Sequence, residues 1–350
     1  MLLEKISNAH GPSGYETEVR ELIFGEIKDS VAVYQTDALG NLITRVGDWK
    51  GYKGPRLLLS AHMDEVGFTV TEITSSGGLK FHKMGGIDDR VLPSKRVMVG
   101  RGEKRIPGVV SMKSPHLHKT REEFNQVVKH DGLFVDIGTS KKEEAEKLVS
   151  LGEPMTWATE YFEQGNRAFG KAFDDRAGCA ILAELVKESP KLTGGTPFLA
   201  SFTTQEELGI RGGKVAGFAT NPDVFIAVEG TTAGDVPGPA NGRDVTPSTV
   251  LGDGPALSIL DQSHVSDTAW REFVEGIARD EGIGFQYKRS VTGGTESGIV
   301  HKTRSGVRCL TISVPVRYIH SPVGILDKGD YAATKKLIAS VIRRLGEFKP

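Results

Sequence analysis

Apolar positions change their spacing three times along the chain. Residues 2–8 and 16–28 carry apolar groups at helical intervals, with Val19, Leu22, Ile23 and Ile27 on one face of the second segment. The intervening His10-Gly11-Pro12-Ser13-Gly14 breaks the pattern, so the start reads as helix, turn, helix. Short strands are expected at 31–34 and, past the turn Gly40-Asn41, at 42–46. The segment 56–61 contains the uninterrupted run Leu57-Leu58-Leu59, which suits a central strand buried on both faces.

From about residue 70 the texture becomes β-like. Pieces at 79–83, 96–99, 106–110, 133–137 and 156–162 are separated by glycine and charged turns, with little helix (122–128 and 142–149). This spacing predicts a small barrel or sandwich, read as a β-rich domain (71–170) inserted into an α/β domain formed by 1–70 and 171–350. Alternation of helix and strand returns after Lys171. Helices are expected at 176–187, 212–218, 267–280 (with Ser266 as N-cap) and 327–348, and strands at 197–203, 224–228 and 307–314. The fold class expected is α/β: a largely parallel or mixed sheet covered by helices on both faces, a three-layer α/β/α arrangement carrying a barrel-like insert.

Composition narrows the functional classes. The chain has 350 residues, 38% hydrophobic and 25% charged, enough for a sizeable core without covalent staples. Its 44 basic and 45 acidic residues nearly cancel and no long basic run occurs, so nucleic-acid binding has little electrostatic support. Cys179 and Cys309 are far apart and outside any CxxC spacing, which points to a reducing cytoplasm. No stretch approaches the roughly 18 apolar residues of a membrane span, and Met1 leads straight into an amphipathic segment without a leader pattern.

His, Asp and Glu fall at the ends of expected buried strands, where open α/β sheets collect ligands. In Ser60-Ala61-His62-Met63-Asp64-Glu65, His62 and Asp64 share one face of an extended backbone, so Asp64 can accept the second ring N–H of a metal-bound imidazole. A solvated strand-end pair is the plain alternative. Asp174-Asp175 opens a helix, as a dipole-complementing cap or as a carboxylate bridging two cations. In Thr203-Thr204-Gln205-Glu206-Glu207-Leu208-Gly209, both glutamates can enter one cavity only where the strand breaks, one as a ligand and one as a general base. Glu229 closes the apolar run Phe225-Ile226-Ala227-Val228, and His320 follows the last buried strand. Imidazole and carboxylate donors fit zinc, cobalt or manganese, and the absence of cysteine from the set argues against a closed structural zinc site.

The strings AHMDEVGF, AFDDRAG, TTQEELGIRGG, EGTTAGDVPG, GGTESG and YIHSP, in that order from residue 61 to 322, resemble the tetrahedral (TET) or glutamyl aminopeptidase family of co-catalytic metallopeptidases. The resemblance covers nearly the whole chain. It implies two divalent metal ions per subunit bridged by Asp174, with His62 and Glu229 completing one site and Glu207 and His320 the other. It also implies Glu206 as general base, Asp64 as orienter of His62, and a cis peptide at Asp174–Asp175. It puts Gly294, Thr295 and Glu296 on the substrate side. Glu229 and Glu296 stand where the family more often has Asp. The implied partners are short peptides, and the implied assembly is dimers building a hollow tetrahedral dodecamer through the insert. The rival readings are a carboxypeptidase or deacylase on the same scaffold, separated by which end of a peptide is released, and a glycosidase, separated by activity that survives in chelator. A third is a non-catalytic scaffold or metal-storage protein, separated by metal binding without turnover of any aminoacyl reporter.

Overall fold

The structure is a computed structural model and describes residues 1–236 and 248–349. The last two residues of the EGTTAGDVPG string, Pro237 and Gly238, lie outside the described residues. Helices Leu2–Asn8 and Thr17–Ile27 open the chain. Strands β1 (Val33–Thr36), β2 (Leu42–Val46) and β3 (Leu57–His62) follow. Next come β4 (Gly67–Ile73), β5 (Leu79–Met84), β6 (Arg96–Val99), β7 (Ile106–Val110), β8 (Val135–Asp136) and β9 (Pro154–Trp157). These six close into a barrel in the order β4-β5-β8-β7-β6-β9. Its interior holds Phe68 edge-on to both Phe81 and Trp157, with ring centroids 5.1 and 5.0 Å apart.

The remaining strands are β10 (Phe162–Gln164), β11 (Arg167–Gly170), β12 (Phe198–Thr203), β13 (Val224–Thr232), β14 (Ala256–Ser258), β15 (Gln286–Lys288), β16 (Arg308–Arg317) and β17 (Gly324–Asp327). With β1–β3 they form an 11-stranded mixed sheet in the order β1-β2-β12-β3-β13-β16-β17-β11-β10, with β14 and β15 attached beside β16. Pairing therefore returns to the large sheet at β10, before residue 171. The centre is parallel: β3 lies between β12 and β13, and β13 pairs with β16. Carboxyl ends of these four strands share one edge.

Alternation explains why the central strands are apolar throughout. Leu57, Leu59 and Ala61 of β3 pack with Ala180, Leu185 and Leu337 in the larger core. Leu58 faces the other way, with Leu199, Phe225 and Val300. Both faces are thus covered, as the run of three leucines requires. Helices Phe173–Lys187, Thr268–Asp280 and Lys328–Arg344 lie on the first side, Arg211–Thr220 and Ser297–Val300 on the second.

Local expectations are corrected in three places. Asp267, not Ser266, caps the helix Thr268–Asp280: its carboxylate accepts the Trp270 N–H at 2.9 Å, whereas Ser266 Oγ donates to the Ser258 carbonyl at 2.5 Å. The strand expected at 156–162 is two strands, β9 and β10, in different sheets. Strand β4 carries polar Thr69, Thr71 and Glu72 among its apolar residues and was not foreseen as a strand.

A buried ion network fastens the first turn to the sheet. Lys171 Nζ contacts both Glu65 oxygens (2.7 and 2.8 Å) and the Ala9 carbonyl (2.7 Å). Arg176 donates to the carbonyls of Ile6, Ala9, Gly11 and Met63. Removing one partner of such a pair leaves an uncompensated buried charge, so Lys171→Ala is expected to lower unfolding stability by about 3 kcal/mol, read from urea unfolding at fixed protein concentration. An unshifted midpoint would show that the network contributes nothing.

Candidate metal centre

The parallel strands deliver their terminal side chains to one place. His62 ends β3, and Thr203 lies beside it at the end of β12. Beyond Thr203 the chain leaves the sheet: Gln205 has φ 55° and Gly209 φ 110°, and the glutamates between them occupy a turn instead of a strand. That release lets two adjacent side chains reach one cavity. Glu229 sits near the end of β13, and Asp174 precedes the regular part of its helix, with Asp174 and Asp175 at non-helical φ/ψ. The Asp174–Asp175 peptide is cis, as the family resemblance implied.

Asp174 lies between the two histidines. Its Oδ1 is 3.3 Å from His62 Nε2 and its Oδ2 is 3.3 Å from His320 Nε2. Glu229 Oε2 is 3.5 Å from His62 Nε2, and Glu207 Oε1 is 3.2 Å from His320 Nε2. Two donor trios thus share one carboxylate. These separations are long for charge-assisted hydrogen bonds, which run about 2.7–2.9 Å. They match instead the edge of a tetrahedron of ligand atoms, about 3.3 Å for bonds of about 2.0–2.1 Å. His62 also falls within 4.8 Å ligand-atom groupings with Asp174 and Glu207, and with Asp175 and Glu229. Asp175, however, is already engaged: it accepts the backbone N–H of His62 at 3.1 Å and of Gly178 at 3.0 Å. Asp174 is the better donor.

Each imidazole is fixed from behind. His62 Nδ1 lies 3.2 Å from the Asp64 carbonyl and 3.4 Å from Asp64 Oδ1, while His320 Nδ1 lies 3.0 Å from the carbonyl of Gly86, on the loop after β5 of the barrel. With Nδ1 held in this way, Nε2 of both rings faces Asp174 and is the nitrogen placed for a metal. His320 itself has φ 58°, a left-handed conformation that turns it back over the site.

The floor is acid-rich. Burial pushes Asp175, Glu206, Glu207 and Glu229 above the usual carboxylate range, Glu229 to about 7, and their mutual repulsion adds to it. Burial opposes protonation of His320, but its contacts with Asp174 and Glu207 outweigh this and lift it to about 11. Cations placed between the carboxylates would relieve both effects. The donor set therefore fits divalent metal.

A cleft of about 400 Å³ opens above these groups, lined by Glu206, Gly293, Gly294, Thr295, Ile210, Ile319 and Lys288 among others. Glu296 is the departure from expectation. It does not line the cleft: its backbone is already helical ahead of Ser297–Val300, and the fully buried carboxyl turns beneath the floor to accept from Ser60 Oγ. Gly86 and Lys288 are the additions that sequence reasoning missed. A carbonyl contact from the barrel leaves no trace in residue type, whereas the basic pair Lys288-Arg289 shortly before Gly293-Gly294 was a visible signal.

A family model described as M42 glutamyl aminopeptidase matches residues 40–337. The chain is similar to a TET aminopeptidase from the marine sediment archaeon Thaumarchaeota archaeon SCGC AB-539-E09, with TM-score 0.91 and 34% identity over 98% of this chain and 95% of that one. It is similar to the Pyrococcus horikoshii TET1 peptidase, described as able to assemble into a tetrahedron or a large octahedral shell, with TM-score 0.84 and 34% identity over 97% and 98% of the two chains. It is also 30% identical to the lysyl aminopeptidase of Pyrococcus furiosus, over 98% of this chain and 96% of the relative. With the fold, the ordered motifs and these matches in agreement, the chain belongs to the M42 glutamyl aminopeptidase family and is a peptidase.

Proposed function

We propose that the chain removes N-terminal residues from short peptides, using two divalent cations held between His62, Glu229, Asp174, Glu207 and His320. The observation that carries this is the position of Asp174, with one oxygen toward each imidazole. Bound there, the cations would polarise the scissile carbonyl, lower the pKa of a water and anchor the substrate amine. Zinc, cobalt or manganese suits this mixture of nitrogen and oxygen donors.

Glu206 is the general base. Its neighbour Glu207 is taken up by His320, while Glu206 lines the cleft beside the same centre. Burial raises the pKa of Glu206, and the surrounding carboxylates add to this. Glu206 takes the proton of the attacking water and delivers it to the departing amine. Asp64 orients His62, the Gly86 carbonyl orients His320, and Gly294 and Thr295 border the space for the substrate's first residue.

The barrel is the assembly module of this reading, within a domain division of 1–70 with 171–350 against 71–170. Its connecting segments expose Met112, Leu117, Phe124, Val127 and Val128, an apolar surface suited to covering by a second copy. Dimers built through it, joined into a tetrahedral dodecamer, would restrict access to short chains. Among the described residues no helix is long and apolar enough to cross a membrane. Both cysteines are free and buried, in keeping with a cytoplasmic setting.

Three outcomes are expected. Glu206→Gln retains fold and bound metal but loses about 10²–10⁴-fold in kcat on aminoacyl reporters; near-parental turnover would remove the assigned role. Dialysis against a chelator abolishes hydrolysis, and zinc, cobalt or manganese restores it, whereas activity surviving in chelator would sink the two-cation reading. Phe124→Glu together with Leu117→Glu gives smaller species in analytical ultracentrifugation; an unchanged sedimentation profile would place the contact elsewhere.

A further inference from the structure

Three consecutive peptide N–H groups, those of Gln205, Glu206 and Glu207, donate to buried carboxylates from the first 64 residues. Gln205 N–H reaches Glu16 Oε1 at 3.0 Å, Glu206 N–H reaches Asp64 Oδ1 at 2.9 Å, and Glu207 N–H reaches Asp64 Oδ2 at 3.1 Å. Glu16 Oε1 also accepts the Gly14 N–H at 2.7 Å, and Ser13 Oγ donates to Asp64 Oδ2 at 2.5 Å. Ser13, Glu16 and Asp64 are all buried. An ordinary surface turn would leave such amides to water.

We infer that Ser13 and Glu16, on the turn joining the first two helices, are positioning residues that hold the 205–207 turn and thereby aim Glu206. This rests on the role given to Glu206 above. Neither residue lines the cleft, so neither touches substrate. Their effect passes through the backbone. Gln205 occupies a left-handed conformation, which a non-glycine residue keeps only when its surroundings hold it there. Glu16 supplies the acceptor at that residue. Ser13 fills one lone pair of the carboxylate that grips the next two amides. A base displaced by about 1 Å loses on the order of 10²-fold in rate, so a modest slackening of this turn is enough to matter.

The test uses the full chain loaded with zinc or cobalt and the variants Glu16→Ala, Glu16→Gln and Ser13→Ala. Glu16→Ala and Ser13→Ala are expected to lower kcat by roughly 10–100-fold, with KM, metal content and melting temperature unchanged. Amide hydrogen exchange at 205–207 should quicken in both. Glu16→Gln keeps an oxygen at the acceptor position and should recover most of kcat and slow exchange. Parental kcat and exchange in Glu16→Ala would overturn the inference, as would equal impairment in Glu16→Gln. So would activity lost in step with metal content or melting temperature, which marks a general structural defect. If the parent chain itself turns over no aminoacyl reporter, the aminopeptidase reading fails, and the exchange comparison alone decides on the clamp.

Discussion

Carboxylates taken out of water must find donors or cations, and this protein gathers an unusual number of them at one sheet edge. The donors each one receives sort them by task. Asp175 is filled by the backbone amides of His62 and Gly178, Glu65 by Lys171 and Arg176, and Asp64 by Ser13 and two amides. Among the described residues, Asp174 and Glu207 face only the Nε2 atoms of two imidazoles, while Glu229 turns one oxygen toward His62 Nε2 and takes a long 3.5 Å contact from the Glu296 N–H on the other. Groups satisfied by fixed protein donors hold the frame, and groups with remaining lone pairs are those able to take metal.

Satisfying the first set draws in chain segments that lie far from the chemistry in sequence. Arg176 gathers carbonyls from Ile6, Ala9 and Gly11, and Gly11 pairs with Glu65 through both its N–H and its carbonyl. His10 continues the connection into the barrel, sharing a 2.6 Å hydrogen bond with Thr156 of β9. Burial, followed by the charges of Lys171, Arg105 and Arg176, lowers its pKa to about 3 and keeps it neutral there. The turn between the first two helices therefore touches both the barrel and the segment that follows His62.

Elements with strong local signals were legible in the sequence. The apolar run of β3, the glycine-marked break after β12 and the helical period of 16–28 depend on nearest neighbours along the chain, and the structure repeats them closely. The convergence of His62, Asp174, Glu207, Glu229 and His320 was legible because strand ends of a parallel sheet share an edge. Hidden were contacts fixed by distant backbone. Ser13 read as part of an ordinary turn and Glu16 as the first residue of a helix, because their partners lie 51 and 189 residues away. Glu296 read as a pocket residue because residue type does not reveal which way a helix start turns its side chain. Ser266 and Asp267 are both good caps by type, and only the fold decides between them.

The barrel's place beside the centre sets a further constraint. Its loop after β5 must come close enough for the Gly86 carbonyl to reach His320 Nδ1. Gly85 permits that approach. It has φ 90°, and a Cβ there would lie 2.7 Å from Val66 Cγ1 and 3.2 Å from Glu207 Oε2. Any larger residue would press directly on Glu207 and strain the backbone as well. The same loop thus fixes the orientation of one imidazole and leaves room for the carboxylate opposite it. The barrel is thus part of the wall that shapes the centre.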